Sequence, residues 1–301
     1  MTRTGSRRLL DLVLRLRRPG PRTRRLLTVM AVGLFTATVV WGLAGYRSAG
    51  LAVDWPLLAL AVVVGTPVAL ALNAVELRQM ARATDAELTW SEALTASLYA
   101  SAANALPLPG SVLVRGWSLR EAGVPLARIV SIQAMAGATF VAVAATVTGP
   151  LIAGASPAAG AAVTAVGVVV LTGLVARGRG RVLRLAGVEL AMVASELIRI
   201  SVVVSALGLD PSAPRAGGLV LAGVAAAAVG VFPAGLGLRE LLAAAVGPAI
   251  ALPAALAVTV SVSDRIGTSA VLAVLVLTVT VAPGLIRNQP ARPRIPIRRT
   301  P

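Results

Sequence analysis

Residues 104–115 read Asn104-Ala-Leu-Pro-Leu-Pro-Gly-Ser-Val-Leu-Val-Arg115. Pro107, Pro109 and Gly110 fall within one helical turn, and no helix runs through such a cluster, because proline lacks an N–H and its ring clashes with the preceding turn. The surrounding stretch, Ser91–Val114, is otherwise apolar. In hydrocarbon an unpaired backbone N–H or C=O costs several kcal/mol, so irregular chain survives there only where protein buries it or water lines it. The stretch therefore reads as a re-entrant, broken helix, and the bundle around it must enclose a cavity or a packed polar interior.

The rest of the chain supplies that bundle. Of 301 residues, 57% are hydrophobic and 13% charged, against roughly 25% charged in an ordinary soluble domain. Mean hydropathy is +0.85. A soluble fold has too little surface to hide so much apolar side chain, so the fold class is all-α, a polytopic transmembrane bundle. About 20 apolar residues cross the hydrocarbon core. Eight such spans are expected: Leu26–Tyr46, Pro56–Val75, Ile129–Gly149, Pro157–Ala176, Gly187–Leu207, Gly217–Phe232, Leu241–Val262 and Ile266–Ile286. The chain divides into a basic segment 1–25, a membrane domain 26–286 and a basic tail 287–301.

There are 28 basic and 12 acidic residues, a net charge of +16, with no Cys and no His. Every basic residue is Arg, which fits a preference for Arg or simply a GC-rich genome. The charge lies at the two ends and in short loops, and only 3% of residues are aromatic, so there is no stacking platform for nucleic acid. Lacking Cys and His, the chain offers no thiolate or imidazole for a metal, haem or nucleophile. Neither metal nor cofactor is expected, and the chain is not read as an enzyme.

Within Ser6–Arg18 the apolar Leu9, Leu12, Val13 and Leu16 recur at helical spacing among arginines. This fits a basic helix lying on an anionic leaflet, or equally a basic tail that only sets topology. The apolar run after it is longer than a signal-peptide core and reads as a retained anchor. Arginine marks the cytoplasmic side of short loops. The N-terminus, the Arg78/Arg82 loop, residues 115–128, the Arg177-Gly-Arg-Gly-Arg181 loop and the tail from Arg287 are then all inside. Both termini are cytoplasmic if Ser91–Val114 dips and returns.

A second interruption, Phe232-Pro-Ala-Gly-Leu-Gly-Leu-Arg-Glu240, repeats the first. Each break is followed by an arginine, Arg115 or Arg239, and each has an Arg-Glu pair nearby, Arg120-Glu121 or Arg239-Glu240. Matching interruptions in two halves point to a transporter-like site and an internal repeat. Gly235 and Gly237 let backbone N–H groups approach an anion, and Arg239 adds charge at a helix start. Charges within spans cost roughly 2.5–3.5 kcal/mol each. Glu196 and Arg199 are i and i+3 and pair on one face, while Glu189 falls nearer the interface. Asp264-Arg265 reads as an exposed turn, and Asn73, Glu76 and Arg78 as an interfacial cap. Asn104 needs hydrogen-bond partners, which the freed backbone at the break supplies.

Asn73-Ala-Val-Glu-Leu-Arg78, Ser91-Glu-Ala, Asn104–Arg115 and Leu119-Arg, followed by Pro233–Glu240 and Arg265, resemble the membrane region of lysylphosphatidylglycerol synthases and their stand-alone, flippase-like relatives of bacterial inner membranes. The resemblance spans roughly Leu26–Ile286. Relatives often carry an acidic-basic pair in the span after the first motif, where this chain has only Gln133, so a charge relay there is not carried over. The soluble aminoacyl-transferase domain is missing, so lipid aminoacylation is not expected. What the resemblance implies is binding or movement of a lipid or lipid-linked substrate across the inner membrane.

The expected partners are membrane lipids with anionic headgroups. Pro107, Pro109, Gly110, Pro233, Gly235 and Gly237 would shape the headgroup cavity. Arg115, Arg120 and Arg239 would neutralise phosphate, with Asn104 as a neutral donor and Glu121 and Glu240 orienting the arginines. Asn73, Arg78, Glu196, Arg199 and Arg265 are secondary candidates. No nucleotide-binding loop is visible, so transport would be downhill, ion-coupled or dependent on a partner. The competing expectation is a non-transporting accessory subunit that holds a cell-envelope enzyme at the membrane through its arginine-rich ends.

Overall fold

The computed structural model describes residues 21–104, 110–229 and 237–281. The amphipathic stretch Ser6–Arg18, the basic tail, and Pro107, Pro109, Pro233 and Gly235 lie outside the described residues. Among the described residues the fold is all-helical: α1 Pro21–Ser48, α2 Trp55–Ala83, α3 Trp90–Ala103, α4 Gly110–Glu121, α5 Leu126–Ala153, α6 Pro157–Ala206, α7 Ala213–Val229, α8 Leu238–Val246 and α9 Ala254–Val281, with a 3-10 turn at Gly247–Ile250. Four of them, α2, α5, α6 and α9, are long and apolar enough to cross a membrane.

Local chemistry sets the ends. Asp54 accepts the Leu57 N–H at 3.0 Å and starts α2, with Pro56 in the first turn where its missing N–H is harmless. Thr89 and Glu92 cap α3 reciprocally, the Thr89 N–H donating to Glu92 at 2.7 Å. Bulky apolar side chains such as Val169, Ile198, Leu277 and Val281 are more than half exposed along α6 and α9. So broad an apolar exterior suits lipid rather than water.

Between helices in lipid there is no hydrophobic drive, so small residues that admit close backbone contact take over. The α5–α6 pair is built this way. A Cβ at Gly160 would lie 2.5 Å from Ala153 Cα, and one at Gly167 would lie 2.6 Å from the Thr146 backbone nitrogen. The main interior joins Val143 and Ile152 of α5, Val193–Val204 of α6, Leu219–Val224 of α7 and Leu256–Val260 of α9. A second cluster gathers Leu77 and Met80 of α2, Leu119 of α4, Ile129 and Ile132 of α5, and Leu185 of α6.

Two of the expected boundaries move. Residues 157–206 form one helix of 50 residues, and the supposed Arg177–Arg181 loop is helical, with only Gly178 leaving helical geometry (φ −158°, ψ 48°). Arginine is a good helix former, so glycine alone marks the kink. Asp264-Arg265 is not a turn. It lies within α9, where Asp264 is fully buried. The real break falls earlier, around Pro248 and Pro253, which end α8 and precede α9. Leu241–Val262 and Ile266–Ile286 are thus not two spans.

Candidate functional site

The first broken segment is a helix pair. Asn104 closes α3, and its side-chain oxygen accepts the Ser111 N–H of α4 at 3.3 Å, tying the two sides of the break together. A Cβ at Gly110 would lie 2.4 Å from the Ala103 carbonyl oxygen, so only glycine fits that contact. At the far end of the pair, Arg128 of α5 reaches Asp85 before α3 at 3.3 Å. The chain therefore enters and leaves this pair at the same end.

The second broken segment repeats the arrangement. Cβ atoms on Gly218 and Gly223 of α7 would meet Val246 and Arg239 of α8, so the two helices run antiparallel. Arg215 binds the Asp210 carbonyl at 2.9 Å and the Ala251 carbonyl at 3.0 Å, bringing entry and exit together again. Gly237 has φ +79°, a conformation that favours glycine, and its N–H donates to Glu240 at 3.0 Å.

From these pairs two buried charge clusters form. In the first, Arg115 of α4 donates to Glu76 of α2 at 2.8 Å and to the side-chain oxygen of Asn73. Asn73 turns its amide nitrogen to the Ala69 carbonyl at 2.7 Å, which leaves that oxygen free to accept. Glu76 and Asn73 share a face because they are i and i+3. Glu189 of α6 faces both Glu76 and Arg115 and is fully buried.

In the second, Asp264 of α9 accepts from Arg199 of α6 with one oxygen and from Arg239 of α8 with the other, the latter at 2.8 Å. Arg199 also donates to Glu196 on its own helix and to Thr268 at 2.9 Å. Beside them Arg265 binds Glu240 at 3.0 Å. Three arginines thus meet three carboxylates, and Asp264 and Glu240 have no exposed surface. Within lipid such pairing answers the insertion cost of each charge.

The clusters sit at two levels of one antiparallel pair. A Cβ at Gly65 of α2 would lie 2.4 Å from Arg199 Cδ, so α2 passes Arg199 there. Glu76 of α2 meets Glu189 of α6. The steps from Gly65 to Glu76 and from Arg199 back to Glu189 correspond to about 15–16 Å of helix. One spacing recurs along the chain: Asn73 and Glu196 are 123 residues apart, as are Glu76 and Arg199, and as are the first residues of α3 and α7. Arg115 and Arg239 are 124 apart. Gln133 approaches Gly116, the residue after Arg115, just as Arg265 binds Glu240, the residue after Arg239.

The remaining candidates take other places. Arg120 is exposed, and Glu121 accepts from the Trp117 indole at 2.8 Å instead of orienting an arginine. Arg78 donates to the Leu88 carbonyl at 3.1 Å and lies 4.5 Å over the Trp90 ring. Glu240 serves Arg265, not its neighbour Arg239. The exposed placement of Asp264 is overturned by its burial, and Glu189 is buried among the helices. A groove of about 710 Å³ opens between α3 and α4, lined by Glu87, Glu92, Glu121, Tyr99 and Trp117 among others, and neither Arg115 nor Arg239 reaches it. Comparison with known proteins finds no match among family models, curated proteins or solved structures.

Proposed function

We propose that this chain is a flippase-like membrane protein of the bacterial inner membrane, which binds a lipid or lipid-linked anionic headgroup and carries it across the bilayer. The observation that carries this reading is the pair of buried arginine–carboxylate clusters, each beside a broken helix pair and separated along α2 and α6. Midplane charge beside interrupted helices is the pattern of secondary transporters.

Two inverted repeats account for the geometry. One comprises α2 to α5, the other the second arm of α6 through α9. Their constant offset in sequence supports common descent, and the antiparallel run of α2 against α6 supports opposite orientations in the membrane. In this topology α1, α2, α5, both arms of α6, and α9 cross, making six crossings in place of eight. The pairs α3–α4 and α7–α8 each dip and return, as their joined ends suggest. Both termini then lie inside, with the arginines of the α6 kink on the cytoplasmic side and the uncharged Gly154–Ser156 link outside.

Each arginine already holds a carboxylate, so a headgroup must exchange with it. A phosphate entering beside Arg115 displaces Glu76, and one beside Arg239 displaces Asp264. Such a swap never leaves the guanidinium bare in a medium where an unpaired charge is expensive, and phosphate matches the guanidinium fork as well as carboxylate does. Reconstitution of the full chain into liposomes with a panel of fluorescent lipids tests the reading. Wild type is expected to expose one class of anionic lipid to an external quencher, and Arg115→Gln and Arg239→Gln to lose that exposure. Identical rates for wild type, both variants and empty vesicles, across the panel, would reject transport.

A further inference from the structure

The two clusters differ in charge balance. The second holds Arg199, Arg239 and Arg265 against Glu196, Glu240 and Asp264, and sums to zero. The first holds Arg115 against Glu76 and Glu189, and is one positive charge short. The surplus falls on Glu189. It has no exposed surface, and among the described residues neither of its carboxylate oxygens has a hydrogen-bond donor. The charged groups facing it are Glu76 from α2 and Arg115 from α4. Arg115 spends its terminal nitrogens on Glu76 and Asn73, and although its buried Nε lacks an acceptor among the described residues, one guanidinium carries one charge for two carboxylates. Two ionised carboxylates have only acceptors to offer each other, so their approach calls for something positive between them.

We propose that one small monovalent cation, a proton or a sodium ion, binds between Glu189 and Glu76. The chemistry is common to both ions: the free oxygens of Glu189 and the Glu76 oxygen not taken by Arg115 close around a single positive charge and bring the first cluster to zero, matching the second. The site has no room for a divalent ion's charge, which would overshoot the balance. It stands independently of lipid transport, since it follows from charge and burial alone.

The test uses the full chain purified in detergent. Thermal unfolding is followed by tryptophan fluorescence in sodium chloride and in choline chloride at equal ionic strength, and the carboxylic-acid C=O infrared band is followed from acid to alkaline pH. If sodium is the occupant, sodium raises the unfolding temperature where choline does not, and Glu189→Gln loses the whole response. If a proton is the occupant, sodium has no effect, and wild type shows a carboxylic-acid band in the folded state that disappears on alkalinisation and is missing in Glu189→Gln. Glu189→Asp keeps a carboxylate and is expected to keep the response in weakened form. Should Glu189→Gln fail to fold, the wild-type pair of measurements and Glu189→Asp still decide. A wild type with neither a sodium-specific shift nor a titrating acid band overturns the proposal, as does a response that Glu189→Gln retains in full.

Discussion

Arg115 of α4 donates to Glu76 of α2 at 2.8 Å, so the helix that follows the first break is held to the helix that runs ahead of the broken pair. The same guanidinium takes the Asn73 oxygen, and the contact closes α3 and α4 against the bundle. Arg115→Lys keeps the charge but replaces a planar fork with a single ammonium. At least one of the two contacts is lost, and a charge-assisted bond contributes about 1.5–3 kcal/mol. Lipid exposure in liposomes is expected to fall roughly tenfold or more in Arg115→Lys, against a smaller change in Arg120→Lys, whose side chain is exposed. Equal loss in both variants would separate the activity from the first cluster.

Asp264 holds two arginines from two other helices. Asp264→Ala leaves Arg199 and Arg239 short of a buried carboxylate, and breaking a buried pair from one side costs about 3–5 kcal/mol. Denaturation in mixed micelles is expected to register that loss, whereas Asp210→Ala, on an exposed carboxylate near Arg215, stays within about 1 kcal/mol.

Gly65 makes room for Arg199. Gly65→Val puts methyl groups into the path of the Arg199 stem and is expected to destabilise by about 1–3 kcal/mol through overpacking. Because the two positions share one contact, Gly65→Val and Arg199→Met combined are expected to fall short of the sum of the single effects. Strict additivity in the double-mutant cycle would place Arg199 away from α2.

The six-crossing topology predicts labelling in a chain that has no native cysteine. With right-side-out vesicles and an impermeant maleimide, Ala155→Cys, Pro211→Cys and Ala251→Cys are expected to react from outside, and Arg179→Cys only after the vesicles are opened. Pro211 and Ala251 on opposite sides would mean that α7 and α8 together cross instead of returning.

Much of the fold was legible because lipid makes sequence speak plainly. Long apolar runs and Pro/Gly interruptions located α1, α2, α5, the first broken pair and the position of the second break, although α7 and α8 read as parts of two full spans. Arg115, Arg239 and the Glu196–Arg199 pair stood out as charges that apolar surroundings must answer. Their partners did not stand out. Nothing in local periodicity says that Glu76 waits for Arg115, or that Asp264 lies between α6 and α8, because those encounters are made by helix packing. Asp264-Arg265 reads as a turn only while charge outweighs backbone chemistry. Pro248 and Pro253, a few residues earlier, were the better signal of a break.

Glu189, Glu196 and Arg199 all ride on the second arm of α6, a single stiff rod past the bend at Gly178. A slide of that rod by one turn would part Arg199 from Asp264 and carry Glu189 away from Glu76 in the same movement. The two charge clusters are therefore geared to each other by a shared axle.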